Sequence, residues 1–392
     1  MSKLKIYLNY LVYLVCLIIP KKKNRWVFGA WFGTRISDNP YAFYQYVTKN
    51  HPEIEAYWIC DDVSKGPEFG VNAVKKNTAR ARWLCLTAKV SVMNQGYLDL
   101  GGLNWVRRSY KVQLWHGIPW KKIGEDTPDA KTGILHKISH KAFLFSNKCD
   151  LYITPSDETR RTHKTAFLVG DDKILSVGQP RNELLMDAQA CSKVKEKILS
   201  KIGTGSTVIV YMPTFRDKTS EPFSFTKIAD EISPVLAKHD AVILEKQHFV
   251  QIKRDEASSQ ASTDRIINVA DYDAQELLAS ADILVTDYSS CFFDYVLRDK
   301  PVIHYMYDYD RYKNDDRGFY FDVDFVRSGK IVKTTDELID HMEEVLEGNY
   351  DEPETRKIIR DRFDAYESSD NSKIIFEEIL TRTGRTGGGK SV

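Results

Sequence analysis

Asp282-Ile-Leu-Val-Thr-Asp-Tyr-Ser-Ser-Cys-Phe-Phe-Asp-Tyr295 carries an apolar, strand-like run into a cluster of hydroxyls and then straight into a helix. That order places Thr286, Asp287, Ser289 and Ser290 at the carboxyl end of a strand, beside the free backbone N–H groups of a helix N-terminus, a setting suited to phosphate. The same residues admit a structural reading, in which Ser289 caps the helix and Asp287 satisfies the turn. Further short apolar runs surround this one: Thr207-Val-Ile-Val-Tyr, Ala241-Val-Ile-Leu, Arg265-Ile-Ile-Asn-Val and Pro301-Val-Ile-His, with helical stretches between them. Upstream, Trp26-Val-Phe-Gly, Ala56-Tyr-Trp-Ile, Lys89-Val-Ser-Val-Met, Lys111-Val-Gln-Leu-Trp and Leu151-Tyr-Ile-Thr repeat the alternation. Two βα domains in tandem follow, with ligands expected in a cleft at the carboxyl ends of their strands.

The charge-rich helical stretch 180–202 ends at Gly203-Thr-Gly-Ser, which sets the expected boundary. The organisation read from the sequence is a membrane-associating segment over 1–24, an acceptor-side domain over 25–203, a donor-side domain over 204–382 and a disordered tail over 383–392. Residues 7–20 form an apolar, tyrosine-rich run between Lys3 and Lys5 and the cations Lys21, Lys22, Lys23 and Arg25. The run is short for a membrane span, and Pro20 and three lysines stand where a signal peptide needs small residues, so cleavage and export are not expected. A helix lying on the anionic cytoplasmic face of the cell membrane is expected, the alternative being a first helix packed into the protein.

With 56 Lys+Arg against 55 Asp+Glu, bulk positive charge offers no route to nucleic-acid binding. The six cysteines are scattered and form no C-x-x-C pair, so neither a disulfide framework nor a structural zinc is expected. No G-x-G-x-x-G follows the first strand, the Gly-Gly-Gly-Lys-Ser tail lacks the strand and helix of a P-loop, and no G-x-S-x-G elbow is present. The triplets Asp271-Tyr-Asp273, Asp308-Tyr-Asp310 and Asp322-Val-Asp324 could hold a divalent metal but are common by chance in an aspartate-rich chain, so no metal and no cofactor are expected.

Several strand ends carry chemistry-bearing residues. Gln113-Leu-Trp-His-Gly-Ile-Pro sets His116 in a loop, where it can act as a general base or serve as a hydrogen-bonded structural imidazole. Pro213-Thr-Phe-Arg216, Glu245-Lys-Gln-His248 and Gly178-Gln-Pro-Arg181 add cations at equivalent places. Each arginine alone reads as a surface ion-pair partner; the shared position at strand ends is the signal.

Together, Gln113-Leu-Trp-His-Gly-Ile-Pro with Lys121 and Gly124, Pro213-Thr-Phe-Arg-Asp, and the 286–295 segment with Lys300-Pro and Arg317-Gly318 resemble the CDP-glycerol glycerophosphotransferase family, which builds the poly(alditol phosphate) chains of teichoic acids and some capsules. The resemblance implies a GT-B fold, two Rossmann-like domains facing across a cleft. It implies transfer of glycerol phosphate from CDP-glycerol, or of ribitol phosphate from CDP-ribitol, to an undecaprenyl-linked or poly(alditol phosphate) acceptor at the cytoplasmic membrane face, with release of CMP. Carried over by residue, His116 of W-H-G would take the proton from the acceptor hydroxyl. His248 would contact the donor pyrophosphate, although the family's K-P-H-P reads Lys246-Gln-His-Phe here. Arg216, Ser289, Ser290, Asp287, Arg181, Lys246 and Gly117 complete the set expected around the donor phosphates. Because W-H-G begins at Trp115, a primase or a short polymerase is expected. The competing readings are a GT-B glycosyltransferase using a nucleotide sugar and a non-catalytic organiser of a wall or capsule complex.

Overall fold

The computed structural model describes residues 3–127, 148–214, 223–246, 262–309 and 318–384. The chain divides into two units. The first comprises Met1–His116, Lys122–Glu183 and Ala365–Val392, and the second Gly117–Lys121 and Leu184–Asp364.

In the first unit, strands β1 (Lys22–Phe28), β2 (Glu55–Cys60), β3 (Ala73–Lys75), β4 (Ala88–Met93), β5 (Tyr110–Gln113), β6 (Leu151–Thr154) and β7 (Ile174–Ser176) form one sheet, ordered β3-β2-β1-β4-β5-β6-β7. Every pairing is parallel. Such strands are covered on both faces, which is why they read as apolar runs. Trp26 and Phe28 pack on Phe43, Tyr44 and Val47 of the helix Asp38–Asn50, while Val27 between them turns to Leu84 and Cys85 of the helix Ala79–Thr87.

In the second unit, β8 (Thr207–Met212), β9 (Ala241–Glu245), β10 (Ile266–Asn268), β11 (Ile283–Thr286), β12 (Val302–Tyr305) and β13 (Lys330–Val332) are ordered β10-β9-β8-β11-β12-β13, again all parallel. Val208, Val210 and Leu284 line one core, and Ile209, Tyr211 and Val285 the other.

The division differs from the boundary read at Gly203. The helix Ala188–Ile202 belongs to the second unit, because Cys191 and Ile198 on its buried side join Val208, Leu244 and Leu277. At the other end, the helix Asn371–Arg382 returns to the first unit, where Ile375, Phe376 and Ile379 join Trp26 and Phe43. The Trp26 and Phe376 ring centroids are 5.4 Å apart. Of the expected tail, residues 385–392 lie outside the described residues.

The first helix spans Lys3–Ile18. Val12 and Cys16 are buried against Leu86, Leu103 and Trp105, and the Asn9 side chain accepts from Asn104 N at 2.9 Å. Arg108 donates to the Leu17 carbonyl and Lys21 to that of Leu86. Tyr7, Tyr10, Leu11, Leu14 and Ile18 remain exposed. The helix therefore packs into the protein along one narrow stripe and presents an apolar face elsewhere. No helix among the described residues is long and apolar enough to cross a membrane.

If the last helix completes the first core, Phe376→Ala should cost about 3–5 kcal/mol. Hydrogen exchange should quicken at the β1 and β4 amides and stay unchanged at β8 and β11; equal quickening in both sheets would contradict the assignment.

Candidate active site

Both sheets reverse strand order at their centre, between β1 and β4 in the first unit and between β8 and β11 in the second. Among the described residues, those singled out above lie in the loops after β5 and β7 of the first unit and after β9 and β11 of the second.

In the first unit, His116 follows β5. Its Nδ1 lies 3.4 Å from the Asn94 carbonyl oxygen and 3.4 Å from the Gln95 side-chain nitrogen. The carbonyl can only accept and the amide nitrogen can only donate, so the two neighbours favour opposite tautomers; hydrogen on Nδ1, facing the carbonyl, leaves an open lone pair on Nε2. The Trp31 and Trp115 rings flank the imidazole, with centroids 5.0 and 4.2 Å away. Burial lowers the His116 pKa from the ordinary 6.5 to about 4; Asp38 pulls it up and Arg181 pushes it down, and burial wins. The imidazole is therefore neutral near pH 7, the form a base requires.

The surrounding loops are strained and tightly bonded. Trp31, Phe32, Asp38 and Trp115, in the segments that follow β1 and β5, are four of the eight non-glycine residues with positive φ among the described residues, a concentration typical of functional sites. Gly117, with φ 135°, closes the turn where a side chain would be strained. The Asn94 side-chain oxygen accepts from Trp31 N at 3.0 Å. The buried Asp99 carboxylate accepts from Phe32 N, Asn94 N and Gln95 N, at 2.7, 3.0 and 2.8 Å. Burial raises the Asp99 pKa to about 7 against the pull of those N–H groups. Asn39, fully buried, donates to the carbonyls of Leu114 and Trp115 and to the Gln179 side chain, and accepts from Arg181 N.

Arg181 does not present an uncommitted guanidinium: Nη1 lies 2.8 Å from Asp38 Oδ1 and donates to the His116 carbonyl at 3.1 Å. Asp38, Asn39, Asn94 and Asp99 were not singled out from the sequence. Asn94 stands at the first position after β4, so the strand-end rule that picks out His116 also reaches it.

In the second unit, Asp287 is buried after β11, and its Oδ1 accepts from Thr214 N at 2.8 Å, tying it to the loop after β8. Thr286 Oγ1 donates to the Met212 carbonyl at 2.7 Å. Ser289 Oγ lies 3.5 Å from Cys291 N, whereas Ser290, the residue before the helix, makes no side-chain capping bond. That helix, Cys291–Tyr295, is five residues long, so its end offers less dipole than a full helix. Lys246 donates to the carbonyls of Ala270 and Tyr272, bracing the chain before the helix Ala274–Ser280. Arg216 and His248 lie outside the described residues, as does Arg317. Two of the aspartate triplets start helices: Asp273 accepts from Gln275 N and Glu276 N, and Asp322 from Asp324 N.

Two Rossmann-like units, each an all-parallel sheet with polar loops at its switch point, have the architecture of the GT-B class of fold. The family described as CDP-Glycerol:Poly(glycerophosphate) glycerophosphotransferase matches residues 11–381, and the chain belongs to that family, as the resemblance implied. It is 31% identical to the teichoic acid glycerol-phosphate transferase of Staphylococcus aureus, over 91% of this chain and 93% of that one. It is 28% identical to the teichoic acid poly(glycerol phosphate) polymerase of Bacillus spizizenii, over 94% and 95%. The solved structure of the wall teichoic acid polymerase TagF shares the fold, with a TM-score of 0.82 over 98% of this chain and 99% of that one, at 24% identity.

A His116 pKa of about 4 has a measurable sign. Between pH 6.5 and 4 the unfolded chain takes up a proton at this residue that the folded chain refuses, so the contribution to stability is lost as pH falls through that window. In an NMR titration the His116 ring signals should stay in the neutral position from pH 7 to 5; a midpoint near 6.5 would contradict the burial argument.

Proposed function

We propose that the protein transfers glycerol phosphate from CDP-glycerol to the hydroxyl of a lipid-linked or glycerol-phosphate-bearing acceptor and releases CMP. The observation that carries this reading is the neutral His116 imidazole, with Nδ1 beside a carbonyl, at the switch point of a parallel sheet. In the reaction the acceptor oxygen attacks the glycerol-bearing phosphorus. A new P–O bond forms, the bond to the CMP oxygen breaks, and the acceptor proton passes to His116 Nε2. Most of the rate in such a transfer comes from positioning and charge stabilisation.

The donor phosphates are assigned to Ser289, Ser290, Arg216 and His248, with Gly117 giving the His116 turn close backbone approach. Asp287 keeps the loops after β8 and β11 together, and Lys246 braces its own loop. Glycerol is favoured over ribitol because the two relatives matched over more than nine-tenths of both this chain and their own length are named for glycerol phosphate.

The first helix supports a place at the cytoplasmic membrane face. Its exposed Tyr10, Leu11, Leu14 and Ile18 stand on the segment that leads into Lys21, Lys22 and Lys23, and Arg107 lies over the Tyr13 ring at 5.4 Å. Leu11→Asp together with Leu14→Asp should release the protein from vesicles containing anionic lipid, and raised salt should do so in part. Binding unchanged by both would remove the membrane assignment.

The activity test offers CDP-glycerol, CDP-ribitol and UDP-sugars separately with a lipid-linked disaccharide and its glycerol-phosphate-primed form. CMP from CDP-glycerol, abolished in His116→Ala with donor binding kept, is expected. Turnover only with a UDP-sugar would replace this reading with that of a glycosyltransferase.

A further inference from the structure

We propose that Asp38 and Arg181 form a positioning pair that holds the His116 turn in its strained conformation, and that Arg181 is not a ligand of the donor phosphates. This rests on the reading of His116 as the base.

The pair joins segments that follow four different strands. Asp38 opens the helix Asp38–Asn50 that follows β1, Asn94 lies in the loop after β4, His116 in that after β5 and Arg181 in that after β7. One carboxylate oxygen of Asp38 meets Arg181 Nη1 at 2.8 Å, and the other accepts from Asn94 Nδ2 at 3.0 Å. Arg181 Nη1 then donates to the His116 carbonyl, while the Asn94 carbonyl lies at His116 Nδ1. The catalytic residue is thus gripped at its backbone by the arginine and approached at its ring by the asparagine, with Asp38 connecting the two.

The ion-pair side chains are 5% and 13% exposed, so neither charge has bulk water as a ready substitute for the other. Asp38 and Trp115 both hold φ values in the left-handed region, 69° and 53°. Such residues persist only where their surroundings fix them. Here Asp38 accepts from Asn39 N at 2.7 Å, and Asn39 in turn binds the carbonyls of Leu114 and Trp115. Without the pair, the turn is free to relax and carry the imidazole with it.

The charged and titratable groups facing His116 are Asp38, Arg181 and His163; the last is buried and neutral. Removing the carboxylate charge of Asp38 should therefore shift the acid limb of kcat/KM downward, and removing the cation of Arg181 should shift it upward. A residue with only a general structural role would move neither in this opposed way.

The test measures CMP release from CDP-glycerol by Asp38→Asn, Arg181→Gln and Arg181→Lys in the full chain, with His116→Ala alongside. In the first two, kcat should fall by roughly tenfold to a hundredfold, the scale of an ångström-sized misplacement. KM for CDP-glycerol should stay within about twofold, and Arg181→Lys should keep more kcat than Arg181→Gln. If Arg181→Gln fails to fold, Asp38→Asn, nearly isosteric, carries the same measurement. A raised KM with kcat kept would make Arg181 a donor ligand and overturn the pair, as would kcat within about twofold of the parent in Asp38→Asn. Turnover surviving in His116→Ala would overturn the base reading itself. Turnover lost there but kept in the pair variants would overturn the pair alone.

Discussion

Where β1 and β4 lie side by side, the chain must leave them in opposite directions, since β1 leads on to β2 at one flank and β4 to β5 at the other. The loops diverge, and the backbone groups above the two strands lose the neighbours that a regular sheet would give them. Side chains must supply those partners, because buried N–H and C=O groups are costly when unmet. Asn39, Asn94 and Asp99 do so here: between them they accept from Trp31, Phe32, Asn94, Gln95 and Arg181 backbone N–H groups and donate to the Leu114 and Trp115 carbonyls. The strained Trp31, Phe32 and Trp115 backbones sit within that arrangement, and burial there keeps His116 neutral.

The second unit meets the same requirement more simply. Asp287 reaches across the gap between β11 and β8 to Thr214 N, and Thr286 reaches the Met212 carbonyl. The residues that tie the loops together are buried, and Ser289 and Ser290 beyond them are only partly covered. Buried polar side chains that shape a loop are thus followed, along one short segment, by partly exposed ones that can meet a ligand.

Much of this was legible in the sequence. Leu151–Thr154 and Thr207–Met212 stand out because fully covered parallel strands need uninterrupted apolar runs. Ala73–Lys75, Ile174–Ser176 and Lys330–Val332 went unread: each is an edge strand of three residues, a length at which only Ile266–Asn268, inside the run Arg265-Ile-Ile-Asn-Val, stands out. The Gly203 break was visible, but the core covered by the amphipathic helix before it is a tertiary fact, as is the return of Asn371–Arg382 to the first unit. His116 could be found because histidine after a strand carries chemistry on its face. Asp38 carries no local signal and Arg181 reads as a phosphate ligand, since nothing local reveals that residues 143 positions apart share an ion pair.

The neutral imidazole at the switch point is the centre of the proposed chemistry, and its kinetics address it directly. In single-turnover CMP release at saturating donor, the rate should hold from pH 8 down past 6.5, decline only as pH approaches the His116 pKa of about 4, and vanish at every pH in His116→Ala. A rate halved near pH 6.5, or one that persists without the imidazole, would contradict a buried neutral His116 as the base.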